Sequence, residues 1–181
     1  MPGDSRSDRM LIDAVNRNDV RAFGALYRRH RDWVVRLAFR FTGNHDDALD
    51  VLQETFSYLL GKFPGFSLTA KLTTFLYPVV KNLSTDVLRR KGRYISDDEL
   101  LKGVPAVHTN EADSTRSELA EALVNLPGSQ REALLMRFVD GMTIDEIARA
   151  LGIPSGTVKS RLHNALAFLR GDERTRDYFL D

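Results

Sequence analysis

A run of polar side chains near the carboxyl end of the chain has the chemistry needed to read base pairs. Lys can donate hydrogen bonds to guanine acceptors, and Asn can pair with the edge of adenine. No carboxylate occurs across residues 155–170, so nothing in this stretch repels DNA phosphates. The candidate DNA-facing residues are Thr157, Lys159, Ser160, Arg161, His163 and Asn164.

Two short helices joined by a tight turn are predicted to position these residues. Thr143 and Glu146 have capping-box spacing, which predicts a helix start. Gly152 suits the left-handed end of that helix, and Pro154 cannot continue it. Apolar residues then recur at helical spacing at Val158, Leu162, Ala165, Leu166 and Leu169. The pattern predicts a helix-turn-helix whose second helix enters the major groove, with an ordinary helical hairpin as the alternative.

The rest of the chain shows helical spacing throughout and no strand-like alternation of useful length. A helix is predicted over residues 72–90, although Pro78 lies inside it and lacks a backbone donor. Gly43 and Asn44 break the pattern before another helix. Ser129 and Glu132 have the spacing of a second capping box, opening a helix that ends at Gly141. The predicted fold class is all-α.

Composition excludes several classes of protein. The 181 residues are 43% hydrophobic, contain no cysteine, and carry four scattered histidines. Disulfide scaffolds and clustered metal sites are therefore not expected, and we expect no cofactor. No apolar run approaches the roughly 20 residues of a membrane span, and the N-terminus lacks a signal-peptide core. The sequence predicts a cytoplasmic protein without membrane insertion.

The net charge is only +1, but the charge is unevenly distributed. Residues 1–92 hold 15 Lys and Arg against 10 Asp and Glu, a net charge of +5. A net charge near zero combined with locally basic faces is typical of a protein that needs a partner to hold DNA.

A second candidate site combines aromatic and basic residues over residues 75–91. Single-stranded DNA binding needs flat side chains that stack on bases and cations that hold the backbone. The candidates are Phe75, Tyr77, Lys81, Asn82, Asp86, Arg89 and Arg90. For the two aromatic residues, a place in the hydrophobic core is the alternative.

A third candidate site is an acidic face. Asp50, Gln53 and Glu54 are spaced i, i+3 and i+4, so they share one side of a helix. Taken on the residues alone, a solvated acidic helix face is the ordinary interpretation.

Four segments together resemble a known family. They are DALDVLQETF (47–56), FLYPVVKNLSTDVLRRK (75–91), LPGSQREALLMRF (126–138) and EIARALGIPSGTVKSRL (146–162). Their order and spacing resemble the extracytoplasmic-function (ECF) sigma factors of bacterial RNA polymerase, which have only sigma domains 2 and 4. The resemblance covers roughly residues 10–91 and 115–170.

The resemblance implies partners and roles for the candidate residues. Asp50, Gln53 and Glu54 would dock on the β′ clamp helices of core polymerase, and domain 4 on the β flap. The helix from Phe75 to Lys91 would hold the melted non-template strand of the −10 element. The loop at about Phe66–Lys71 would take a flipped-out base, and the helix-turn-helix would read the −35 element. An anti-sigma factor is a further partner that the resemblance leaves open.

The implied organisation is domain 2 over residues 1–92, a flexible linker over 93–113, domain 4 over 114–171 and a short tail over 172–181. The linker holds an acidic patch at 97–99 that resembles segments threading polymerase, with an ordinary solvated linker as the alternative. The tail holds aromatic residues near 178. The sequence departs from the family where Thr73, Phe75 and Pro78 stand, so the detail of −10 recognition does not transfer.

Two other classes of protein fit parts of the sequence. A stand-alone helix-turn-helix regulator would explain the C-terminal half but leave Gln53, Glu54 and the aromatic-basic helix unexplained. A recombinase or nuclease would need a nucleophile or a carboxylate cluster on an α/β domain, and the N-terminal half shows neither.

Overall fold

The computed structural model describes residues 4–92, 120–172 and 175, and the chain divides into two compact units, Met1–Gly92 and Arg93–Asp181. The described residues are helical and contain no strand, as the sequence predicted. The linker proposed for 93–113, its acidic patch, and the aromatic residues near 178 lie outside the described residues.

The described residues of unit 1 form four helices, and three of them begin at a capping side chain. Its helices are α1 (Asp8–Asn16), α2 (Val20–Thr42), α3 (His45–Leu60) and α4 (Leu72–Arg90). The side chains of Ser7, Asp19 and Asn44 accept backbone N–H bonds at the starts of α1, α2 and α3. Gly43 adopts a left-handed conformation, with φ of 64°, where α2 ends. These caps fix where the helices begin and turn.

The core of unit 1 forms around α2, which packs against α1, α3 and α4. Leu26, Val34 and Leu37 on α2 are completely buried. Burial of this apolar face provides most of the stability of such a bundle, because isolated helices of these lengths are marginal in water.

Helix α4 covers residues 72–90, the bounds predicted from the sequence, and Pro78 lies inside it. Leu72, Leu76 and Val80 form its apolar side, and all three are completely buried. Packing against α2 and α3 therefore holds the helix together across a residue that cannot donate a backbone hydrogen bond.

Unit 2 contains α5 (described over 120–125), α6 (Gly128–Phe138), α7 (Ile144–Leu151) and α8 (Ser155–Gly171). The capping box predicted at Ser129 is wrong. Helix α6 begins at Gly128 with Pro127 as its N-cap and no side-chain capping bond, so Ser129 already lies in the first turn. Glu132 is buried rather than capping.

Arg131 is the buried charged residue that joins α5 to α6. It is only 1% exposed, and its guanidinium donates to the carbonyl oxygens of Leu123, Val124 and Leu126 at 2.6, 2.6 and 2.7 Å. The last carbonyls of a helix lack partners within the helix, and a cation is favoured there. Arg131 therefore caps α5 from the neighbouring helix.

Among the described residues, no helix is long and apolar enough to cross a membrane. Within the same residues there is no group of three or more His, Asp or Glu side chains placed to hold a metal ion.

Candidate nucleic-acid and polymerase interfaces

Helices α7 and α8 form the turn that the sequence predicted. Thr143 accepts the Glu146 N–H at 3.3 Å while Glu146 accepts the Thr143 N–H at 2.8 Å, so the capping box is complete. Gly152 ends α7 in the left-handed region, with φ of 65°, and Pro154 is the N-cap of α8. The hydroxyl of Ser155 donates to Asp145 at 2.9 Å, which ties the start of α8 to the first turn of α7.

One side of α8 is buried and the other is open to solvent. Val158, Leu162, Ala165 and Leu169 are buried, while Leu166 is half-buried. On the opposite side, Arg161 is half-buried and five candidates are exposed: Thr157, Lys159, Ser160, His163 and Asn164. The helix can present these polar groups to a major groove while its apolar side stays packed.

The acidic face on α3 is accessible. Asp50 and Gln53 are exposed, and the Glu54 side chain is 40% exposed. Glu54 also lies 3.5 Å from the guanidinium of Arg90, so it is shared between this face and the end of α4. The geometry leaves Asp50 and Gln53 directly available to a protein partner.

The prediction that Tyr77 contacts DNA is wrong. Its side chain is 1% exposed and packs edge-on against Phe41 with the ring centroids 6.1 Å apart. An aromatic residue in this position stabilises the core, the alternative that the sequence had left open.

Phe75 occupies a different environment, half-buried in a cluster of rings. Its ring centroid lies 4.8 Å from that of Phe66 and 6.4 Å from that of Tyr58, stacked on the latter. Phe75 therefore supports the loop before α4, and part of its surface stays accessible.

The polar candidates of α4 lie at its surface. Asn82, Asp86, Arg89 and Arg90 are exposed, and Lys81 is half-buried. Asp86 and Arg89 face each other at 3.6 Å. A pair this exposed contributes at most about 1 kcal/mol, so Arg89 is readily exchanged onto a phosphate. Lys91, in contrast, is paired with Asp47, a carboxylate that is only 1% exposed.

The loop between α3 and α4 is tied to α1 by residues that the sequence had not indicated. The Asn16 side chain donates to the Phe66 carbonyl oxygen at 2.8 Å and accepts the Gly65 N–H at 2.7 Å. Arg9 donates to the Leu68 carbonyl oxygen at 3.3 Å. A lone Asn at a helix end gives no local signal of a contact some fifty residues away in the chain.

Models of two protein families match the chain, and they cover separate parts of it. Residues 26–94 match Sigma-70 region 2, and residues 116–169 match Sigma-70 region 4. The ECF RNA polymerase sigma factor SigE of Mycolicibacterium smegmatis is 33% identical over an alignment covering 98% of this chain and 69% of that protein. The chain belongs to the ECF sigma factors.

Other relatives agree with this assignment. SigM of Mycobacterium tuberculosis is 33% identical, covering 91% of this sigma factor and 83% of that protein. The solved structure of CnrH with the cytosolic domain of CnrY matches with a TM-score of 0.67, 24% identity, and coverage of 91% of this chain and 95% of that one. RpoE of Bartonella quintana, solved with the anti-sigma factor NepR, matches with a TM-score of 0.61, 22% identity, and coverage of 84% and 96%.

As an RNA polymerase sigma factor, the protein acts in promoter-specific initiation of transcription. Members of the family are DNA-binding initiation factors. The relatives match both units, whereas the stand-alone regulator considered from the sequence would account for the second unit alone.

Charged residues of the sigma factor also fix α1 onto α2. Asp8 lies 2.6 Å from Arg29 and 2.9 Å from the Nε2 atom of His30, which is 8% exposed. The hydrogen bond with His30, followed by that from Arg29, holds the pKa of Asp8 below its ordinary value of 3.8. Because α1 also carries Asn16, this network positions the helix that holds the loop.

Proposed function

We propose that the two units divide promoter recognition between them. The first binds core polymerase and the single-stranded −10 element, and the second reads the −35 duplex. The proposal depends above all on α8, whose exposed side over residues 157–164 is polar or basic and free of carboxylates while its other side is packed against α6 and α7. Such a helix is suited to a major groove.

For the −35 element, base-edge contacts are assigned to Lys159, Ser160, His163 and Asn164. Thr157, in the first turn of α8, would hold a phosphate, since N–H groups at a helix start favour anions. Arg161 is half-buried and nearer to the helix flank, so it is assigned to the backbone.

For the −10 element, Lys81 and Asn82 are assigned to the unpaired strand, and Arg89 and Arg90 to phosphates near the upstream edge of the bubble. Exposure at the surface supports Asn82, Arg89 and Arg90. The loop at Phe66–Lys71 would hold a base flipped out of the stack. Opening of the −10 region then follows from capture of bases that have left the duplex.

For polymerase, the face at Asp50, Gln53 and Glu54 is assigned to the β′ clamp helices, and unit 2 to the β flap. An anti-sigma factor is a further proposed partner, the class of protein bound to the Bartonella relative. The protein would lend recognition to the polymerase without being an enzyme itself, and it would work in the cytoplasm, where promoter DNA lies.

Transcription from a promoter library tests the proposal. Core polymerase with this protein should select promoters that share two motifs separated by a fixed spacer, and core polymerase alone should select none. A protein that dimerises and binds palindromic duplex DNA equally well without polymerase would contradict the proposal and indicate the stand-alone regulator.

A further inference from the structure

The side chain of Asn16 matches two adjacent backbone groups of the loop at 61–71. Gly65 offers an N–H and Phe66 a carbonyl oxygen, and the Asn16 amide satisfies both, at 2.7 and 2.8 Å. A primary amide is the small neutral group that donates and accepts at once. An aspartate in its place would keep the first bond and set a carboxylate against the carbonyl oxygen.

Two further contacts hold the same segment. Arg9, on the first turn of α1, donates to the Leu68 carbonyl oxygen at 3.3 Å. The Phe66 ring lies 5.6 Å from Phe63 and 4.8 Å from Phe75, measured between ring centroids. Helix α1 and the ring cluster therefore hold the loop from both sides.

These ties fix the backbone and leave polar side chains free to point outward. Ser67 and Thr69 follow the Asn16 tie and are exposed. Hydroxyl groups donate and accept hydrogen bonds, which is the chemistry that base edges offer. Recognition of one base over another requires such groups to be held within about 0.5 Å of the productive geometry.

We infer that Asn16 is a positioning residue for base discrimination, holding the loop in the shape that accepts one unpaired base of the −10 strand. The inference rests on the proposed role of this loop in single-strand binding. Asn16 need not touch DNA, because it acts through the backbone of Gly65 and Phe66.

Binding of holoenzyme to single-stranded oligonucleotides tests the inference. The oligonucleotides span the non-template −10 element, with each position varied through the four bases. At one position, the ratio of affinities between the preferred base and the other bases should be about tenfold smaller in Asn16→Ala than in wild type, the ratio that one base-edge contact sustains. Ratios at the other positions should stay within about twofold of wild type, the usual effect of a surface change.

A matched control and an independent measurement separate this role from a structural one. Asp13 lies on the same helix and is exposed, so Asp13→Ala should leave every ratio unchanged. In the free protein, hydrogen exchange at the Gly65 amide should be faster in Asn16→Ala than in wild type. Asn16→Asp should give an intermediate loss of discrimination.

Unchanged ratios in Asn16→Ala would overturn the inference, as would an equal loss of affinity at every position. An unchanged exchange rate at Gly65 would overturn it as well. A wild-type holoenzyme that discriminates at no position would instead overturn the proposed function of the loop, and the inference with it.

Discussion

The candidate DNA-facing residues of α8 differ in whether their contacts depend on the base sequence. Lys159→Ala and Asn164→Ala should each weaken binding at particular −35 positions by about 1–3 kcal/mol, the value of a base-edge contact. Arg161→Ala should weaken binding to all sequences alike and reduce its salt dependence, because a phosphate contact carries no sequence information. Affinity measurements on a panel of −35 duplexes at two salt concentrations check both expectations. Arg170→Ala, exposed at the end of the same helix, is the control. A uniform loss in all three variants would contradict the assignment.

Asp8 makes the stability of the first unit depend on pH in the acid range. Its pKa is below 3.8 in the folded protein because of His30 first and then Arg29. Since the unfolded chain binds this proton more readily, the stabilisation is complete above about pH 4 to 5 and is lost as the pH falls through the lowered pKa. Asp8→Asn should therefore flatten the acid side of the plot of unfolding free energy against pH, measured by urea titration. Equal slopes below pH 4 in the two proteins would contradict this expectation.

Residue environments could be predicted only in part. Phe75 and Tyr77 are both aromatic and two positions apart, so composition did not show that one lies under the loop and the other in the core. The periodicity of α4 points Tyr77 inward with Leu76 and Val80, and its fully buried ring reflects that periodicity. Asn16 was missed because its partners lie in the distant loop, and no pattern along the chain encodes that pairing.

At the scale of elements, α4 should separate strand opening from duplex binding. Asn82→Ala should impair transcription from a closed duplex promoter, with partial rescue on a template already mismatched across the −10 element, because the cost of melting has been removed. Arg89→Ala combined with Arg90→Ala should be rescued less, since both templates need phosphate contacts. Equal defects of Asn82→Ala on the two templates would mean that this helix does not drive opening.

Helix boundaries were well predicted where capping chemistry is local. The Thr143 and Glu146 box and the left-handed Gly152 depend on residues within a few positions of each other. The false box at Ser129 shows the limit of such patterns. Pro127 is the N-cap of α6, two positions before the predicted Ser129. The side chain of Arg131 donates hydrogen bonds to the carbonyl oxygens that end α5.

At the scale of the whole molecule, the sigma factor depends on core polymerase for its function. Asp50→Lys combined with Gln53→Ala should weaken binding to core polymerase by at least about tenfold, because reversed charge at an interface costs several kcal/mol. Asp50 is preferred to Glu54 for this test, since Glu54 also faces Arg90. Titration of labelled protein with core polymerase measures the effect, and circular dichroism should show an unchanged fold. His45→Ala, exposed on the other side of the same helix, is the control. Undiminished affinity in the double variant would contradict the assignment of this face.

The hydrogen bonds between Asn16 and the loop also determine whether the loop loses its conformational entropy on folding or on DNA binding. Ordering the backbone of one residue costs about 1–2 kcal/mol of conformational entropy at 25 °C. Because Asn16 already holds Gly65 and Phe66 in the free protein, that cost falls on the folding of unit 1 and not on the arrival of DNA. A relative lacking this amide would meet part of that cost on binding, and would need more favourable contacts with the strand to reach the same affinity.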